Sequence, residues 1–123
     1  MATARYIVND VDAAVEFYTG LLGFDLKQQF GPAIAIIERE DLELWLAGPP
    51  SSAQRPMPDG SQPTPGGWNR IVVQVEDIAA TVAAMRSAGA TFRNDITSGH
   101  FGQSILAEDP SGNPVEIVQR PSG

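Results

Sequence analysis

The sequence predicts an α+β fold built from two βαβββ modules that form curved, cup-like mixed sheets. Three observations carry this. Two stretches repeat the same strand–Asp–helix–Gly order, each is followed by three strand candidates, and a Pro- and Gly-rich segment separates them. At 123 residues the chain is sized for a single domain. Its expected layout is module 1 at 1–48, a connection at 49–68 and module 2 at 69–123.

The first module opens ARYIVNDVDAAVEFYTGLLGF and the second opens NRIVVQVEDIAATVAAMRSAGATF. In each, a β-branched run leads to Asp10 or Asp77, whose carboxylate can accept the free N–H groups of a helix's first turn. Val11, Ala14, Val15, Tyr18, Leu21 and Leu22 recur at helical spacing, as do Ile78, Val82 and Met85. Gly23 and Gly89 follow as helix stops. Strands are then expected at 24–30, 33–38 and 42–47, and at 91–95, 103–108 and 115–119. Leu42, Leu44 and Leu46 alternate with Glu43 and Trp45, which places the leucines on one face of a strand and the other two on the opposite face. The run DPSGNP between the last two strands reads as a hairpin turn. Residues 48–68 hold six of the ten prolines and four of the twelve glycines, so no long helix or sheet ladder crosses them.

Composition excludes several function classes. Cysteine is absent, which removes disulfides, thiolate metal sites and a Cys nucleophile. The net charge is −7 and the eight basic residues are dispersed, against nucleic-acid binding. No apolar run suits a membrane helix and no basic-then-apolar leader opens the chain, so the expected location is cytoplasmic. A half of this size buries too little surface to be secure alone, and half-open sheets leave edges to cover. A homodimer is therefore expected.

Residues alone leave a generic ferredoxin-like α+β domain as an alternative. The stretches DVDAAVEFYTGLLGF, VEDIAATVAAMRSAG and EDPSGNPVEIV, in this order, resemble the vicinal oxygen chelate superfamily, which includes glyoxalase I, extradiol dioxygenases and the fosfomycin and bleomycin resistance proteins. The resemblance implies a single glyoxalase-like domain over 1–123, with ligand or metal on the concave sheet faces. Metal-dependent members place a His early in the first strand of a module and a Glu in its last strand. The matching positions here are Thr3 and Arg70, and Glu43 and Glu116. Thr is a poor ligand, and a guanidinium stays protonated with no lone pair to donate. The expected site is therefore metal-free, without a cofactor.

Strand alternation assigns Thr3, Arg5 and Ile7, and Arg70, Val72 and Gln74, to the faces turned away from the helices. Arg70 and Glu116 are expected to pair, unless Arg70 is merely a strand-end surface residue. Trp45 and Trp68 suit a stacked planar ligand, or else cap the core edge or a dimer contact. The candidate ligand-binding set is Arg5, Glu43, Trp45, Trp68, Arg70, Gln74 and Glu116. His100, the only histidine, is either a general base or a loop residue without chemistry.

The function expected is metal-independent binding of an aromatic or polar-anionic small molecule, as in the bleomycin-resistance type. The alternative is a glyoxalase- or dioxygenase-type enzyme (lyase, isomerase or oxygenase) with nonstandard ligands including Glu116. A metal-free enzyme using His100 or Glu116 as base is a third reading.

Overall fold

The computed structural model describes residues 1–100 and 102–121. Among these, two helices and nine strands form two mixed sheets, an α+β arrangement of two helix-crossed sheets. The chain divides into two compact units. The first is Met1–Gly66 together with the turn Pro110–Asn113, and the second is Gly67–Asp109 with the chain from Pro114 onward.

The first unit runs β1 (Ala2–Ile7), α1 (Val11–Leu21), β2 (Asp25–Phe30), β3 (Ile34–Arg39) and β4 (Leu42–Ala47). Its sheet order is β1-β4-β3-β2, with β1 parallel to β4 and the other pairs antiparallel. Helix α1 begins where Asp10 Oδ1 accepts the Ala13 N–H at 3.1 Å, and the chain leaves it through Gly23 at φ 72°. Val11, Ala14, Phe17 and Tyr18 are its buried residues, and Tyr18 meets Phe17 and Phe24 edge-on. Ala35, Ile37, Leu44 and Leu46 are buried too, all on one side of the sheet by alternation.

The Pro-rich connection is organised rather than loose. Ser52–Gln54 forms a short 3-10 turn, and the Gln54 amide donates to the carbonyls of Val8 at 2.9 Å and Ala47 at 3.0 Å, where the parallel pairing of β1 and β4 ends. Gly48 enters the segment so close to Pro32 that a Cβ would lie 2.2 Å from its carbonyl oxygen, so no larger residue fits without backbone movement. Further on, Asp59 accepts the Ser61 hydroxyl at 2.6 Å and the Ser61 N–H at 2.9 Å. These bonds, the hydroxyl first, hold its carboxyl below the usual aspartate value. Asn113 closes the unit, donating to the Ile7 carbonyl at 2.7 Å and accepting from the Gly66 N–H at 2.8 Å.

The second unit runs β5 (Ile71–Gln74), α2 (Ile78–Ser87), β6 (Thr91–Phe92), β7 (Thr97–Gly99), β8 (Gly102–Glu108) and β9 (Pro114–Gln119). Its sheet order is β5-β9-β8-β6, with β7 also on β8 and β5 parallel to β9. Asp77 caps α2 through the Ala80 N–H at 3.0 Å, and Gln119 reaches back to accept the Ile78 N–H at 2.8 Å. Ile78, Val82 and Met85 are buried, as the spacing requires.

One expected strand is corrected. The strand at 91–95 ends at Phe92, and pairing resumes at Thr97 opposite Ser104. The cause is Asn94, whose side-chain oxygen takes the Leu106 N–H at 2.8 Å. A side chain there replaces a backbone rung, and the intervening residues leave the ladder.

Gln54→Ala removes the donor shared by the Val8 and Ala47 carbonyls. We expect a loss of about 1–2 kcal/mol in urea unfolding, the range for a part-buried bond left unmade. A midpoint equal to wild type would show that water replaces the amide at no cost.

Candidate functional site

Each sheet packs its helix against one face, and the candidate residues lie on the other. In the first unit, parallel pairing sets Thr3 opposite Glu43 and Arg5 opposite Trp45. The Arg5 guanidinium sits 4.9 Å from the centre of the Trp45 ring, and Trp45 Nε1 donates to Glu43 Oε1 at 2.6 Å. Three of the residues expected at a ligand site are thus one connected group. Arg5 already covers one face of the indole, which leaves a stacked ligand the opposite face.

In the second unit, Val72 pairs with Glu116 and Gln74 with Val118. Arg70 donates through Nε to Glu116 Oε1 at 3.1 Å and holds the same oxygen through Nη2 at 3.0 Å. Its Nη1 reaches the Trp68 carbonyl at 3.3 Å. The side chains are 36% and 26% exposed, so this pair is shared with solvent and its net worth is about 0–1 kcal/mol.

Sequence reasoning missed Arg93. Its Nε donates to Glu108 Oε2 at 2.8 Å, its Nη1 to the Gly67 carbonyl at 2.7 Å, and its guanidinium lies 4.7 Å from the centre of the Trp68 ring. Trp68 is 71% exposed, yet one arginine lies against its ring and another holds its carbonyl. The available signal was the register Thr91 opposite Glu108, which sets Arg93 on the same face as that glutamate. An interrupted strand hides such a register.

His100 lies in the turn after β7, exposed. With Thr97, Ser98, Ser104, Glu116 and Val118 it lines a solvent-open cavity of about 200 Å3. The fold therefore brings the two residues proposed as bases to one cavity. Glu43, Trp45 and Arg5 belong to the first unit and are not part of it.

The metal that the resemblance implies for metal-dependent members would need donor side chains gathered at these positions. Among the described residues, no three His, Cys, Asp or Glu side chains gather as a metal-binding group. In the second unit the position matching a histidine ligand carries Arg70, and that guanidinium already occupies Glu116. A fixed cation on the carboxylate opposes a second, divalent one. The donor set does not fit.

The chain's sequence matches the family model of the Glyoxalase/Bleomycin resistance protein/Dioxygenase superfamily over residues 1–117. The protein belongs to this superfamily. A curated relative, lactoylglutathione lyase of Pseudomonas putida, is 22% identical, with 96% of this chain and 87% of the relative covered. Among solved structures, a member of the superfamily from Sphaerobacter thermophilus is 25% identical at TM-score 0.75, covering 98% of this chain and 96% of that one. A fosfomycin resistance protein from Listeria monocytogenes has the same fold at 11% identity, TM-score 0.74, covering 98% and 93%.

The two arginines of the second unit differ in burial, with Arg93 at 18% exposure and Arg70 at 36%. Arg93→Ala is expected to cost about 1–2 kcal/mol in chemical unfolding, through two lost hydrogen bonds and a ring contact. Arg70→Ala should cost less than about 1 kcal/mol. The reverse order would mean that Arg70 is the structural residue and Arg93 a surface one.

Proposed function

We propose that the chain is a metal-independent small-molecule-binding protein of the glyoxalase/bleomycin-resistance type, with ligand held on the sheet faces turned away from the helices. One observation carries this reading. The carboxylate at the superfamily's metal-ligand position is Glu116, and it is engaged by Arg70 through two nitrogens. Arg70 keeps Glu116 oriented at the cavity without a metal, and Trp68, fixed by Arg93, offers an exposed ring nearby in the chain for a planar group. The proposal includes a cytoplasmic homodimer, since each sheet ends on strands whose outer edges a second copy can cover. Light scattering at tens of micromolar should then give twice the 13.1 kDa chain mass, and a stable monomer would contradict it.

A second reading is favoured by the relative named lactoylglutathione lyase and by His100 and Glu116 lining one cavity. In it the chain is an enzyme, with His100 moving a proton and Glu116 positioned by Arg70. That reading needs His100 for turnover, whereas binding does not.

Elemental analysis of protein purified without chelator separates these readings from a metal enzyme. The expected transition-metal content is well below one per chain. Arg70→His should raise zinc affinity by placing an imidazole beside Glu116 and removing the cation. A stoichiometric metal in the wild type, lost in Glu116→Ala, would overturn the proposal.

A further inference from the structure

We propose that the Asp59–Gly60 step of the Pro-rich connection is a site of spontaneous aspartate isomerisation, and that Ser61 sets how fast it ages. Neither depends on what the open sheet faces bind. Asp59–Gly60 is the one Asp-Gly step in the sequence, and no Asn-Gly step occurs. In the reaction the Gly60 amide nitrogen, losing its proton, attacks Asp59 Cγ. A C–N bond forms, the carboxyl hydroxyl leaves as water, and a five-membered succinimide results. Water then reopens the ring. Opening at the Asp59 main-chain carbonyl leaves the chain running through Cγ, as isoaspartate. The reaction consumes no oxidant or reductant.

Glycine permits the attack because no side chain shields its nitrogen. The space around Gly60 is open, since a Cβ there would meet nothing within 4 Å, and both residues are exposed to water. The turn opposes each remaining requirement. Asp59 must be protonated for its hydroxyl to leave, yet its Oδ1 accepts the Ser61 hydroxyl at 2.6 Å and the Ser61 N–H at 2.9 Å, bonds that favour the charged carboxylate. The Gly60 nitrogen must shed its proton, yet that N–H donates to the Met57 carbonyl at 2.8 Å. Gly60 must also swing toward Cγ, and the Met57 N–H, bonded to the Ser61 carbonyl at 2.8 Å, ties the ends of the turn together. The hydroxyl does most to keep Asp59 ionised, which makes Ser61 the controlling residue.

Isomerisation lengthens the main chain by one methylene, and the closed turn from Met57 to Ser61 cannot keep its register. The next residue is Gln62, whose amide donates to the Gln54 carbonyl at 2.5 Å, and Gln54 in turn holds the carbonyls of Val8 and Ala47. Ageing at Asp59 therefore reaches the bonds that close the β1–β4 pairing.

The test incubates the full chain at neutral pH and body temperature. Isoaspartate at residue 59 is read by enzymatic methylation and by peptide fragmentation. The folded wild type should age several-fold more slowly than the same chain unfolded in urea. Folded Ser61→Ala should age several-fold faster than folded wild type, and its Asp59 carboxyl, followed by carbon NMR, should titrate closer to the usual aspartate value. Ser61→Thr keeps a hydroxyl and should restore the slow rate. Aged wild-type protein should unfold at a lower urea midpoint, toward that of Gln54→Ala. Equal rates in wild type and Ser61→Ala, or in folded and unfolded chain, would overturn the proposal. So would an absence of isoaspartate at residue 59 in the unfolded chain, and an unchanged midpoint after ageing would overturn the link to Gln54.

Discussion

In each unit the first strand lies parallel to the last, and the rest of the architecture depends on that pairing. Parallel neighbours cannot be joined by a tight turn, so the chain must cross over, and here the crossover includes a helix. The helix covers one face of the sheet and leaves the other open. Side-chain alternation then sorts the sequence between the two. Leu44 and Leu46 go to the buried face, and Glu43 and Trp45 to the open one. Ile71 and Val73 are buried, while Val72 is exposed opposite Glu116.

What the open faces hold is decided by electrostatics. Among the described residues, three arginines of these faces each meet a carboxylate or an indole: Arg5 meets Trp45, Arg70 meets Glu116, and Arg93 meets Glu108 and Trp68. This pattern accounts for the poor fit of a metal at Glu116. Exposed pairs contribute little to stability, so the arginines matter more for orienting groups than for holding the fold. Arg93 is the exception, because burial and three partners make it part of the frame around Trp68.

The helices, most strand positions and the faces of the β1, β4 and β5 residues were legible in the sequence, because period and capping are local signals. Asp10 and Asp77 cap where expected, and the leucines of β4 alternate as read. The split of the strand at 91–95 was not legible, since it depends on Asn94 reaching a backbone N–H of a strand twelve residues away. Arg93 was obscured for the same reason. The order in the Pro-rich connection was also hidden, because Gln54's partners, the carbonyls of Val8 and Ala47, lie on two strands far apart in sequence. The Arg70–Glu116 pair was legible through the family register, but Arg70's third contact, to the Trp68 carbonyl, was not.

The central claim is that Arg70, rather than a metal ion, is the partner of Glu116. The Arg70 Nε–H resonance in the folded protein reports this directly, since that proton lies in the bond to the Glu116 carboxylate. The account predicts a hydrogen-bonded Nε–H signal that is lost in Glu116→Ala and unchanged when one equivalent of Zn2+ is added. A signal typical of a free guanidinium, or one that shifts to that position on adding zinc while Glu116 changes its own carboxyl resonance, would contradict it.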